Sequence, residues 1–156
     1  MLDTRASVRK YRQKWIDFLI APERKQGQSY LARPDGRRCC LGHACHILKE
    51  DLNLSTFEND NLVYYDSSNI YPPPKVVSAL GLYNKYGSSG GFHSATNVRH
   101  DLRNAIEIDK KEFQSLSDAN DCITHIITPQ LIGEYLQTVI EGGIDTPFKP
   151  LDYYEE

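Results

Sequence analysis

The sequence predicts an α+β fold, with helices packed on a small antiparallel sheet or hairpins in one helix-rich domain. Three observations point there. Segments with apolar residues every three or four positions alternate with short β-branched or aromatic runs, and Pro/Gly turn signals separate them. A length of 156 residues supports one core and is short for two. A composition of 40% apolar and 25% charged residues is that of a chain able to bury a core. The domain is expected over residues 1–145, with 146–156 as a C-terminal tail lacking periodicity.

Residues 4–20 read as an amphipathic helix. Val8, Tyr11, Trp15, Phe18 and Leu19 keep the spacing of one buried stripe, and Arg9, Arg12 and Lys14 fall off it. Asp3 or Thr4 is placed to cap its start and Pro22 to end it. Beyond a polar loop hinged at Gly27, Ser29–Arg33 alternates like a short strand. Pro34-Asp35-Gly36-Arg37 then forms a turn, and Arg37–Cys39 returns as the second strand of a hairpin.

A second helix is expected from about Cys40 to Asp51. At 100° per residue, Leu41, Ala44, Cys45, Leu48 and Leu52 share a core face, and Cys39, His43, His46 and Glu50 share the opposite, solvated one. Asn53–Asp60 reads as loop and Leu62–Tyr65 as a strand. Pro74–Leu80 reads as a short helix with Pro in its first turn and Gly81 as a left-handed cap. Tyr83–Ser94 is a loop centred on Ser88-Ser89-Gly90-Gly91. Val98–Ile108 is helix or strand, with Leu102, Ala105 and Ile106 favouring helix. Leu116–Asn120 is a turn, and Asp121–Ile127 a helical turn or strand. Thr128 and Pro129 then open a last helix, apolar at Leu131, Ile132, Tyr135, Leu136, Val139 and Ile140, which Gly142-Gly143 stops.

The net charge of −3 is unevenly spread: residues 1–40 carry ten Lys or Arg against four Asp or Glu, and the remainder eight against seventeen. This suits either a basic surface for an anionic partner or complementarity within the fold. No apolar run approaches the roughly 18–20 residues of a membrane span. Arg5, Arg9, Lys10, Arg12 and Lys14 stand where a signal peptide would need an apolar stretch, so a cytoplasmic protein is expected, and no membrane partner. In a reducing compartment the four cysteines are expected as free thiols that pack, bind metal or react.

Trp15 in the first helix precedes Lys25-Gln26-Gly27 and the run Cys39-Cys40-Leu41-Gly42 with Cys45. Pro72-Pro73-Pro74-Lys75-Val76-Val77, Leu80-Gly81-Leu82 and Leu116-Ser117-Asp118 follow, before an isoleucine-rich terminal helix. Over most of residues 11–140 this pattern resembles a set of small phage and prophage proteins, with the Cys-Cys-Leu-Gly-x-x-Cys run as its most specific part. The chain departs at Ser117, where Asn is usual, at Pro129, and in a longer 83–113 segment. The resemblance implies an α+β fold and a phage or mobile-element origin, hence the cytoplasm of an infected bacterium. It implies no reaction.

Three kinds of site are candidates. Cys39 or Cys40 at a helix start, with His93 or His100 as base, has the layout of a thiol hydrolase; the alternative is that these thiols pack in the core. Cys39, His43 and His46 share a helical face and can offer S and N ligands to a metal, with Cys122 and His125 able to complete the set; the alternative is a solvated polar face. Arg24, Lys25, Arg33, Arg37 and Arg38 cluster around the hairpin, guanidinium groups hold phosphates bidentately, and Tyr30, Tyr83, Tyr86 or Phe92 can stack on a base. Ser89 and Gly90, at the centre of the Gly/Ser loop, can offer backbone N–H groups to a phosphate; the alternative is a plain surface loop.

The leading expectation is a phage accessory protein of host takeover or anti-defence that acts by binding. It captures a host protein or a small anionic, nucleotide-type ligand at Tyr30, Arg33, Arg37, Arg38, Ser89, Gly90 and Phe92. A cysteine- or metal-dependent hydrolase and a virion component are the alternatives. No cofactor and no duplex nucleic acid are expected, and the tail tyrosines suit a homodimer.

Overall fold

The computed structural model describes residues 4–90, 92–93, 98–99 and 106–156. They form helices α1 (Arg5–Ile20), α2 (Cys40–Leu48), α3 (Pro74–Leu80), α4 (Leu116–Asn120) and α5 (Pro129–Thr138). Strands β1 (Thr56–Asn59), β2 (Leu62–Tyr65), β3 (Phe92–His93), β4 (Val98–Arg99), β5 (Ile106–Ile108) and β6 (Lys111–Phe113) pair consecutively as three antiparallel two-stranded ladders. The fold is α+β and helix-rich, as expected. Among the described residues no helix is long and apolar enough to cross a membrane.

The central element is α1. Thr4 caps it through a reciprocal capping box with Ser7. It buries Val8, Trp15, Ile16 and Leu19 and packs on α5, α2 and α3. The Trp15 indole donates to the Cys40 carbonyl at 2.9 Å and meets the Phe148 ring edge-on at 6.2 Å. Arg12, expected off the buried stripe, is wholly buried among backbone carbonyls that the local pattern does not reveal.

Residues 146–156 also differ from the expected tail. Phe148 is fully buried, Leu151 opens a single 3-10 turn (Leu151–Tyr153), and Arg5 pairs with Glu156 and donates to the Leu151 carbonyl. Pro and Phe supply core contacts there without any regular period.

The hairpin at 29–39 is a turn with single bridges, not two strands. Gly36 takes φ +94° and its N–H returns to Arg33, as the turn chemistry predicts. Leu31 N–H, however, goes to Asn69 and the Ala32 carbonyl to Val63 N–H, so the segment shares its bonds among three neighbours. Asn53–Asp60 is not all loop: Asp60 and Asn61 both take positive φ, the two-residue turn that matches strand twist, and so make β1 the partner of β2. Asp109-Lys110 does the same for β5–β6, which places Ile106–Ile108 in a strand rather than a helix; Leu102 and Ala105 lie outside the described residues.

The loop and helix ends follow their local signals in part. Ser115 caps α4, so Leu116–Asn120 is a helix and not a turn, and Asp121–Ile127 is irregular. Helix α2 ends at Leu48, three residues before the expected Asp51. Gly81 is the left-handed cap of α3 (φ +64°), and Thr128 with Pro129 opens α5 as the sequence predicts.

Candidate functional site

The Cys39–Cys45 run organises the middle of the fold. Cys39 caps α2, its sulfur accepting from Gly42 N–H at 3.3 Å, and the Asn120 side chain accepts from Cys40 N–H at 3.0 Å. A Cβ on Gly42 would stand 1.7 Å from the Leu31 carbonyl oxygen, so only glycine lets α2 approach that segment. The expected two-faced helix is corrected here: Cys39 and His43 are buried along with Leu41 and Cys45, because α2 is walled on both sides. On the side expected to be solvated, the Phe18 ring packs at a tilt against His43 and His46, at 5.6 and 5.7 Å, and Arg24 covers Phe18 at 3.6 Å.

This burial reverses the thiolate argument. It pushes the Cys39 thiol up to about 11 and Cys40 well above its ordinary value, outweighing the backbone N–H groups that favour the charged form. His43 bonds the Lys25 carbonyl at 2.9 Å, and burial lowers it to about 4. Among the described residues, no three His, Cys, Asp or Glu side chains converge as a metal requires. His125, the other expected contributor with Cys122, instead pairs with Asp109 at 2.8 Å. His100 lies outside the described residues, as do the side chains of Phe92 and His93.

The Gly/Ser segment is not an open phosphate cradle. Ser88 and Ser89 are buried, Ser88 N–H is taken by Asn84 and Gly90 N–H by Thr146, and Tyr83 fills the space where a Gly90 Cβ would sit. The Ser88 and Gly90 amides are thus already bonded and Ser89 is buried, so this segment is closed to a phosphate.

The basic hairpin separates into spent and available cations. Arg24 donates to the Phe18 carbonyl, Lys25 to the Asp35 carbonyl, and Arg37 pairs with Asp35 at 2.9 Å. Arg33 lies 5.4 Å from the Tyr30 ring and, with Arg38, lines a cleft of about 320 Å³ between the hairpin, α2 and β1–β2. Lys49 and His46 of the α2 end complete its polar wall, Phe57, Val63 and Tyr65 its apolar one, and Glu58 is its one carboxylate. Among the described residues no carboxylate lies within 4.0 Å of Arg33, Arg38 or Lys49.

Electrostatics agree with this geometry. Burial first, and then Arg38, Lys49 and Arg24 by disfavouring a further positive charge, together lower His46 to about 4. Arg38 Nε is buried without a partner; the group otherwise donates to the Gly36 carbonyl at 3.4 Å. Phe57 is half exposed and stacked on Tyr64 at 4.5 Å with 9° between planes, a flat aromatic surface at the cleft edge. Sequence reasoning reached Arg33 and Arg38 as anion-binding and His46 only as a metal ligand, and missed Lys49 and Phe57; the Asp60-Asn61 turn, which folds β1 back over β2, was the available signal. Comparison with family models, with curated protein sequences and with solved structures finds no match to this chain.

Proposed function

We propose that the protein binds a small anionic, nucleotide-type ligand in the cleft between Arg33, Arg38 and Lys49. The observation that carries this reading is that three cations with no carboxylate within 4.0 Å among the described residues line one cleft, and one of them, Arg38, has a buried Nε without a partner. A buried donor without a partner costs about 1–3 kcal/mol, and an anion supplies the missing acceptors. Phe57 offers a face for a base beside them.

Capture rather than turnover fits the buried, unreactive thiols of α2. On the resemblance of residues 11–140 to phage proteins, the setting we infer is an infected bacterial cell, where removing a nucleotide signal would serve the phage. Differential scanning fluorimetry against nucleotides and cyclic nucleotides tests it: a ligand at ~100 times its Kd adds roughly 2.7 kcal/mol of stability. Arg38→Ala should abolish the shift. No shift with any member of the panel refutes the reading.

A further inference from the structure

We propose that a second site, the groove centred on Tyr71 and Tyr86, docks a proline-rich peptide carrying a basic residue. The groove encloses about 770 Å³ between residues 68–74, the outer face of α3 and the 84–86 loop. The two tyrosine rings meet edge-to-face, 4.8 Å apart at 81°, with Ile70, Pro72, Pro74 and Val77 beside them. Ile70 is 45% exposed although it is aliphatic.

Perpendicular rings make a trough that takes the flat faces of pyrrolidine rings, and a polyproline helix presents these every three residues. Such a helix has no internal hydrogen bonds, and its prolines lack N–H, so it offers mostly carbonyl acceptors. The groove supplies donors: the Tyr71 and Tyr86 hydroxyls and the Asn69 side-chain amide, which are bonded to nothing else among the described residues.

Charge fixes the rest of the occupant. Tyr71 also borders two smaller depressions of about 170 and 120 Å³, and Asp118 lines both. Asp121, in one of them, is occupied by Ser29 N–H and Asn120. The Asp118 carboxylate is exposed, with no cation within 4.0 Å among the described residues. Lys85, which lines the groove itself, holds its Nζ 5.0 and 5.4 Å from the two rings. A peptide whose arginine reaches Asp118, with its prolines on the tyrosines, matches this polarity; an acidic residue in place of the arginine does not.

The test is fluorescence anisotropy with a labelled decapeptide rich in proline with one arginine, and with its Arg→Glu counterpart. The arginine peptide is expected to bind with micromolar affinity and more tightly than the glutamate one. Tyr86→Ala should weaken it roughly tenfold. Asp118→Asn, an exposed change that spares the core, should remove the preference for arginine. Thermal melting of both variants checks folding. Absence of binding at millimolar protein, equal affinity for both peptides, or indifference to Tyr86→Ala overturns the proposal. So does a concentration-dependent increase in mass by sedimentation that Tyr86→Ala abolishes, because a second copy would then be the occupant.

Discussion

The Arg12 guanidinium sits 4.3 Å from the centre of the Phe148 ring, in the interior of the protein. It donates to the carbonyls of Leu80, Ile140, Gly81 and Lys149 at 2.7, 2.7, 3.3 and 2.8 Å. One side chain of α1 thus ties together the end of α3, the chain after α5 and the C-terminal segment. Burial lowers its pKa to about 10, so it stays charged at neutral pH.

Arg12→Met is expected to destabilise the fold by about 3 kcal/mol or more, because several carbonyls lose a charged donor at once. Urea denaturation measures it. Arg12→Lys should recover only part of the loss, since an ammonium cannot reproduce the fork. Phe148→Ala should cost about 3–5 kcal/mol, which a dispensable tail would not.

Gly42→Ala tests the approach of α2 to Leu31. Intrinsic helix propensity favours alanine by about 1 kcal/mol. With a Cβ directed at the Leu31 carbonyl oxygen, the net effect should instead be a loss of about 2–3 kcal/mol. Equal or greater stability by thermal melting would mean that the contact relaxes freely.

Much of this fold is legible locally. Thr128-Pro129, Leu80-Gly81 and Pro34-Asp35-Gly36 set backbone geometry through their own chemistry, so they read correctly without partners. Arg12 and His43 do not: each is buried by what packs over it from far along the chain, and helical periodicity assigned both to polar faces. Phe148 carries no period at all. In the cleft, Arg33 and Arg38 were visible as charge, but Lys49 and Phe57 join them only because Asp60 and Asn61 turn β1 back onto β2.

Acid should weaken the protein through His43. Its folded pKa is lowered to about 4 from an ordinary 6.5, so below 6.5 the unfolded chain binds more protons than the native one. Stability is full above pH 6.5 and falls between 6.5 and 4, by about 3 kcal/mol for this group. His43→Gln should flatten that part of the profile of urea midpoint against pH.

Thiol reactivity should divide three to one. Cys39, Cys40 and Cys45 are buried, whereas Cys122 is accessible, and its hydrogen bond with Thr124 helps lower it to about 7. A chromogenic disulfide reagent at neutral pH should label one thiol quickly and three only on unfolding. Cys122→Ser should remove the fast phase, and fast labelling at Cys39 or Cys40 would restore the case for a nucleophile.

Anion capture by the cleft has a reporter within it. His46 is held at about 4 partly by Arg38, Lys49 and Arg24, and an anion that neutralises them removes that repulsion. The direct measurement is the NMR titration of the His46 ring with and without saturating pyrophosphate, in the native chain and in Arg38→Ala. Anion binding in the cleft predicts that pyrophosphate raises the His46 pKa from about 4 toward 6.5 in the native chain and not in Arg38→Ala. An unchanged His46 in the native chain, or an equal rise in both proteins, would contradict it.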